Sequence, residues 1–102
     1  MNHRILILGS SEEFTELVKL ARSRGIFTIV CDGNPDGTAK KEADLACHTD
    51  VRSIDRIAAL CRKERVDGIL TAFSDLLLEC MVKIAAKAEL PCYLLPKQLS
   101  FY

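Results

Sequence analysis

The sequence predicts an α/β fold, a small doubly wound (Rossmann-like) parallel sheet of four to five strands with helices on both faces. Three observations predict it. Short apolar runs rich in Val, Ile and Leu alternate with segments whose apolar residues recur at helical spacing. The runs are continuous, as in strands that are covered on both faces. The chain has 102 residues, the length of one domain, and we treat residues 1–102 as a single unit.

The first unit is predicted to be a strand, a short turn and a helix. The run RILIL at residues 4–8 ends at Gly9, which predicts a buried strand. Ser10 followed by Glu13 fits a capping box, so we expect the Ser10 side chain to cap the helix that follows. Apolar residues then recur at helical spacing until Gly25, which predicts the helix end.

The next segment predicts a second strand with a polar loop behind it. FTIVC at residues 27–31 is apolar and β-branched, whereas residues 32–37 are all turn formers. We find no hydrophobic anchor in this loop before Ala43, and we expect Lys40 and Lys41 to be solvated. A short third strand is predicted at residues 45–49.

The second half repeats the pattern. Ser53 is predicted to cap a helix that ends in RKER, and VDGILT at residues 66–71 predicts the fourth strand. Ser74 or Asp75 is expected to cap a third, unusually apolar helix. LPCYLL then predicts a short fifth strand, and the tail PKQLSFY is more apolar than a free terminus needs to be.

Composition excludes several function classes. Fourteen Lys and Arg residues balance fourteen Asp and Glu residues, with the two signs interspersed, and six aromatic residues are scattered. Nucleic-acid binding is therefore not expected, because it needs a basic stripe. The apolar runs are short and the N-terminus soon turns acidic, so we expect no membrane role and a cytoplasmic location.

The five cysteines form no C-x-x-C pair, and they are predicted to be reduced thiols that are mostly buried. The alternative is a zinc site made of Cys31, Cys47 and His48. It lacks the paired spacing of structural zinc sites, so no metal site is predicted.

Ligands of a doubly wound sheet bind at the carboxyl ends of its strands, where the order of the strands reverses. The turn GSSEE lacks two glycines of the dinucleotide-binding fingerprint, and Glu12 and Glu13 would repel a phosphate there. Asp32 nevertheless occupies the place of a ribose-binding acid. Asp32 and Asn34 are also expected to form the turn through hydrogen bonds from their side chains to the backbone.

Several motifs in one order carry a resemblance to a known family. They are the strand and glycine turn at residues 5–9, Asp32-x-Asn34-Pro35, Ala43-Asp44, Asp67-Gly68-Ile69 and Ser74-Asp75. Over residues 4–91 the chain resembles the N-terminal, pre-ATP-grasp domain of ATP-grasp ligases, nearest in type to those of carbamoyl-phosphate synthase and biotin carboxylase.

The resemblance implies a substrate-side domain. The loops at the carboxyl ends of its strands, here called the strand exits, would contact an acceptor substrate. Carried onto this chain, the candidate substrate contacts are Gly9, Ser10, Asp32, Asn34, Ser74 and Asp75, and no residue is catalytic. ATP and Mg²⁺ would be cofactors of the full-length ligase and not of this domain. The ATP-grasp domains of the same parent chain would be its partners, so we expect a domain excised from a longer ligase or a remnant of one.

Two other functions stay open at this stage. The chain could be a stand-alone domain that binds a nucleotide or a metabolite, or a fragment of an NAD-dependent oxidoreductase with Asp32 on the ribose. The apolar third helix and tail also predict that the isolated domain associates into a homodimer, since a separated module exposes the surface that its neighbours cover.

Overall fold

The structure, a computed structural model, describes residues 3–72 and 74–95. The predicted α/β fold is confirmed within these ranges. Its strands are β1 (Arg4–Leu8), β2 (Phe27–Asp32), β3 (Leu45–His48), β4 (Gly68–Ala72) and β5 (Cys92–Leu95). Its helices are α1 (Thr15–Ser23), α2 (Ile54–Lys63) and α3 (Asp75–Ala88), with two 3₁₀ helices at Glu12–Phe14 and Thr38–Lys41. The apolar tail predicted beyond β5 lies outside the described residues.

The five strands form one parallel sheet in the order β3-β2-β1-β4-β5. β1 lies at the centre, where Leu6 pairs with Ile29 of β2 on one side and with Ile69 of β4 on the other. Along the chain, β2 and β3 are added on one side of β1. After α2, β4 and β5 are added on the other side. The strand order therefore reverses at β1 and β4, and every strand ends at the same edge of the sheet.

Both faces of the sheet are covered, as predicted, because alternate residues of the central strand point to opposite sides. Leu6 and Leu8 pack into a cluster that includes Ile57 of α2 and Ile84 of α3. Ile7 packs on the other side, against the cluster that includes Val18 of α1. Residues 6–8 are fully buried, and this explains why their run contains no polar residue.

The helix ends agree with the sequence prediction after α1 but not at the start of α2. Gly25, two residues after the end of α1, has φ +77°, and Ile26 N donates to Ala21 O at 3.1 Å, which confirms the predicted glycine stop. α3 ends at Ala88 without a glycine, and its C-cap residue Glu89 adopts φ +57°. Ser53 stands at the predicted cap position of α2, but its side chain makes no capping hydrogen bond.

Candidate functional site

The candidate site lies along the edge where the strands end. Gly9 and Ser10 follow β1, Asp32 closes β2, and Ser74 precedes the first residue of α3. Since all five strands are parallel, these residues share one edge of the sheet, which is the arrangement that the sequence predicts. Their contacts show how closely they are connected.

Ser10 and Asp32 are in direct contact. Ser10 Oγ donates a hydrogen bond to Asp32 Oδ2 at 2.6 Å, and the Ser10 residue is only 1% exposed. The predicted capping box of Ser10 and Glu13 is therefore wrong. The 3₁₀ helix begins at Glu12, so Ser11 takes the cap position, without a side-chain bond, and Ser10 remains in the turn that leaves β1.

The loop after β2 has a polar anchor that the sequence analysis missed. Lys40, expected in solvent, is buried with a side chain only 4% exposed, so that prediction is wrong. Its Nζ lies 2.9 Å from Asp32 Oδ1 and 3.0 Å from the Asp32 carbonyl oxygen, and it also donates to the carbonyl oxygen of Asn34. A buried ammonium needs several acceptors and a counter-charge, and this turn supplies both.

The same loop also has an apolar anchor. Ala39 is fully buried against Ile7, Phe14 and Val30, and its N–H donates to Ser10 O at 2.9 Å. The sequence predicts the first such anchor at Ala43, which is four residues too late. A single Ala amid lysines and turn formers gives no periodic signal, so only the tertiary structure identifies it.

Close backbone approach holds the loop against the turn after β1. A Cβ added at Gly37 would lie 1.8 Å from Ser10 Oγ, a distance that real Cβ atoms do not show. Gly9 has φ +111°, and a Cβ there would lie 2.6 Å from the ring of Phe14. Gly9 is required by its positive φ and by the Phe14 ring, and Gly37 is required because Ser10 leaves no room for a Cβ.

Asp32 organises the turn around its own carboxylate. Oδ1 accepts from Lys40 Nζ and, at 3.0 Å, from Asn34 N, while Oδ2 accepts from Ser10. Burial alone would raise the pKa of Asp32, but these hydrogen bonds and the Lys40 charge outweigh it and lower the pKa below its ordinary value. Asp32 is therefore ionised at neutral pH, and three of the roughly four acceptor positions of its carboxylate are occupied.

The turn formation predicted for Asp32 and Asn34 is confirmed. Asn34 N donates to Asp32 Oδ1, and Asp36 N donates to Asn34 Oδ1, each at 3.0 Å. These two successive side-chain turns, together with Pro35, fix the path of the backbone that brings Lys40 back over Asp32. Asn34 itself is exposed on the surface.

The start of α3 forms the other side of the edge. Ser74 Oγ accepts from Leu77 N at 3.3 Å, which confirms the predicted cap, and Asp75 begins the helix in an exposed position. Leu77 packs beside Gly9, since a Cβ on Gly9 would lie 3.1 Å from Leu77 Cδ1. α3 therefore begins next to the turn after β1. Ligand contact remains a prediction for all six candidate residues, which are Gly9, Ser10, Asp32, Asn34, Ser74 and Asp75.

The buried thiols are weak nucleophiles at neutral pH. All five cysteines are free, and Cys31, Cys61 and Cys80 are buried as predicted. Burial raises the pKa of Cys61 to about 11 and raises that of Cys31 further, so both remain protonated at neutral pH. Within residues 3–72 and 74–95, no group of three or more His, Cys, Asp or Glu side chains is placed to hold a metal ion.

No helix in the described part of the chain is long and apolar enough to cross a lipid bilayer.

Comparison with known proteins gives matches at the level of structure. No protein-family model and no curated protein matches the sequence. Phosphoribosylglycinamide synthetase from Anaerococcus prevotii aligns with a TM-score of 0.73 and 27% identity, over 87% of this chain and 23% of that enzyme. N5-carboxyaminoimidazole ribonucleotide synthetase from Thermotoga maritima aligns with a TM-score of 0.72 and 19% identity, over 89% of this chain and 24% of that one.

The fold also occurs in another enzyme class. Precorrin-6A reductase aligns with a TM-score of 0.68 and 18% identity, over 90% of this chain and 38% of the reductase. The predicted resemblance to ATP-grasp enzymes is confirmed, because synthetases of that family are among the structures that match. This chain spans about a quarter of the length of those synthetases.

Proposed function

We propose that this chain is the substrate-side domain of an ATP-grasp ligase, an enzyme that uses ATP to join a carboxylate or carbonate to an amine or a similar nucleophile. The observation that carries the proposal is the match to phosphoribosylglycinamide synthetase, which extends over 87% of this chain. In this proposal the domain helps to form the acceptor pocket. We further propose that the parent enzyme is nearest in type to carbamoyl-phosphate synthase and biotin carboxylase.

The electrostatics of the strand exits support an acceptor site over a phosphate site. Glu12 and Glu13 occupy the first turn after β1, both are exposed, and their charges oppose a phosphate at that place. A doubly wound domain that binds dinucleotides uses this same turn for the pyrophosphate. We therefore assign ATP and Mg²⁺ to the ATP-grasp domains of the parent chain.

The proposed acceptor contacts have unequal roles. Asp32, Asn34, Ser74 and Asp75 all have some exposed surface at the strand exits. Ser10 is buried and acts on a ligand through Asp32, whose carboxylate it helps to orient. Gly9 contributes backbone, because its neighbours leave no room for a side chain.

Exposed apolar side chains support a covering partner. Tyr93 of β5 is 58% exposed, and Val82 and Leu76 of α3 are 51% and 40% exposed. In the proposal the ATP-grasp domains of the same parent chain cover these side chains. The isolated domain is then expected to self-associate, and a monodisperse monomer at high concentration in light scattering would contradict that expectation.

One observation favours a second function, that of an NAD-dependent oxidoreductase fragment. Asp32 ends β2, where dinucleotide-binding domains place a ribose-binding acid, and a reductase is among the matching structures. Against it, three donors already occupy this carboxylate. Because about one acceptor position remains, Asp32 would have to release one of these donors to accept hydrogen bonds from both ribose hydroxyls.

Calorimetric titration of the chain with NAD and with ATP tests between these functions. The ligase proposal predicts that neither nucleotide gives saturable heat. NAD binding that disappears in Asp32→Ala would support the oxidoreductase, and ATP binding would support a stand-alone nucleotide-binding domain. Either result would overturn the ligase proposal. Asp75→Ala is the matched control, because Asp75 is an exposed carboxylate on the same edge of the sheet.

A further inference from the structure

A pocket lies between the loop that follows β2 and the end of the edge strand β3. Its volume is about 330 Å³, and its lining includes Pro35, Asp36, Lys41, Ala46 and His48. A volume of this size is at the lower end of the range for small-molecule sites. Ala46 and His48 project from alternate positions of β3 and are both exposed. The proposal that follows does not depend on the ligase function.

Lys40 fixes the hydrogen-bonding character of His48. Lys40 Nζ lies 3.0 Å from His48 Nδ1, and an ammonium can only donate. Nδ1 therefore carries no proton and shares the three N–H bonds of the ammonium with the oxygen acceptors of Asp32 and Asn34, so the proton of the neutral imidazole lies on Nε2. His48 is thus held in the tautomer whose remaining ring nitrogen is a donor.

The charged groups of the pocket have both signs. Lys41 and Asp36 are exposed, and neither side chain forms an ion pair or a hydrogen bond with the described residues. The charge of Lys40, which also lines the pocket, is already compensated by Asp32. The pocket therefore offers a cationic donor at Lys41, a neutral donor at His48 and an anionic acceptor at Asp36.

We propose that this pocket binds a free α-amino acid. A carboxylate would accept hydrogen bonds from Lys41 and from His48 Nε2–H, and an ammonium would donate to Asp36. Pro35 and Ala46 supply apolar surface for an aliphatic side chain. A zwitterion satisfies all three polar groups. A simple anion would leave Asp36 without a partner and would be repelled by its carboxylate. A simple amine would leave Lys41 without a partner and would be repelled by its ammonium group.

The test is an NMR titration of the isotope-labelled chain with L-alanine, using acetate, methylammonium and inorganic phosphate as partial ligands. We expect saturable shifts of the backbone amides of Lys41, Ala46 and His48 with alanine, and weaker binding of all three partial ligands. Lys41→Gln and Asp36→Asn should each weaken alanine binding about tenfold, the value of one charged hydrogen bond.

Lys63→Gln is the matched control, since Lys63 is an exposed lysine in the last turn of α2 and does not line the pocket. It should leave the affinity for alanine unchanged. The proposal is overturned if alanine shifts none of the three amides. It is equally overturned if acetate or phosphate binds as tightly as alanine, or if Lys41→Gln and Lys63→Gln behave alike. Both pocket variants replace exposed side chains, so loss of the fold does not obscure the result.

Discussion

Lys40→Met removes the cation that holds the loop after β2. Asp32, whose side chain is 19% exposed, then keeps a partly buried carboxylate without its counter-charge, and two backbone carbonyl groups lose a donor. Breaking a buried ion pair from one side costs about 3–5 kcal/mol, and the partial exposure of Asp32 sets the expected loss near the lower end, about 3 kcal/mol. For a domain of this length that is a fall in Tm of roughly 12–24 °C.

Thermal and urea unfolding, followed by circular dichroism, measure this loss. Lys41→Met is the matched control, because the neighbouring lysine is exposed and its replacement should change the free energy of unfolding by less than about 0.5 kcal/mol. Adding Asp32→Asn to Lys40→Met should restore part of the loss, because the unpaired charge is then gone. If Lys40→Met costs no more than Lys41→Met, the buried ion pair is not an anchor and the reasoning fails.

Three further predictions use the same unfolding assays. Gly37→Ala should lower the free energy of unfolding by about 2 kcal/mol or more, because the added Cβ would meet Ser10. Gly33→Ala is the control and should be near neutral, because the added Cβ would lie 3.5 Å from its nearest neighbour. Equal losses of stability in the two variants would contradict the close approach of Gly37 to Ser10. Glu89→Gly should stabilise by about 0.5–1 kcal/mol by relieving φ +57°, and any loss of stability would argue against that strain. The lowered pKa of Asp32 stabilises the fold above its unfolded value of about 3.9, and this contribution is lost as pH falls through the folded pKa. Asp32→Asn should therefore flatten the acid limb of the stability profile, and an unchanged acid limb would refute the linkage.

Local sequence signals were sufficient for the fold. Continuous apolar runs identified the strands, and Gly25 and Ser74 marked the end of one helix and the start of another through interactions within a few residues. The boundaries were less certain: β4 begins at Gly68, two residues later than predicted. Such shifts arise because pairing with the central strand, and not propensity, decides where a strand begins.

The polar cluster could not be predicted in the same way. Ser10 fits a capping box locally, yet its hydroxyl bonds a residue 22 positions away in the chain. Lys40 lies in a stretch of lysines and turn formers that is typical of solvent, and only the return of the loop over β2 buries it. One signal was present in the sequence: a loop with this many turn formers needs an anchor, and a lysine eight residues from an aspartate can supply one.

The most direct test of the proposed function is the length of the native polypeptide that carries this sequence. Peptide mapping by mass spectrometry on the protein isolated from its own cells measures it. We expect a polypeptide several times longer, in which an ATP-grasp region follows residue 102. A native protein that ends at Tyr102 and associates with no ATP-grasp polypeptide would contradict the account.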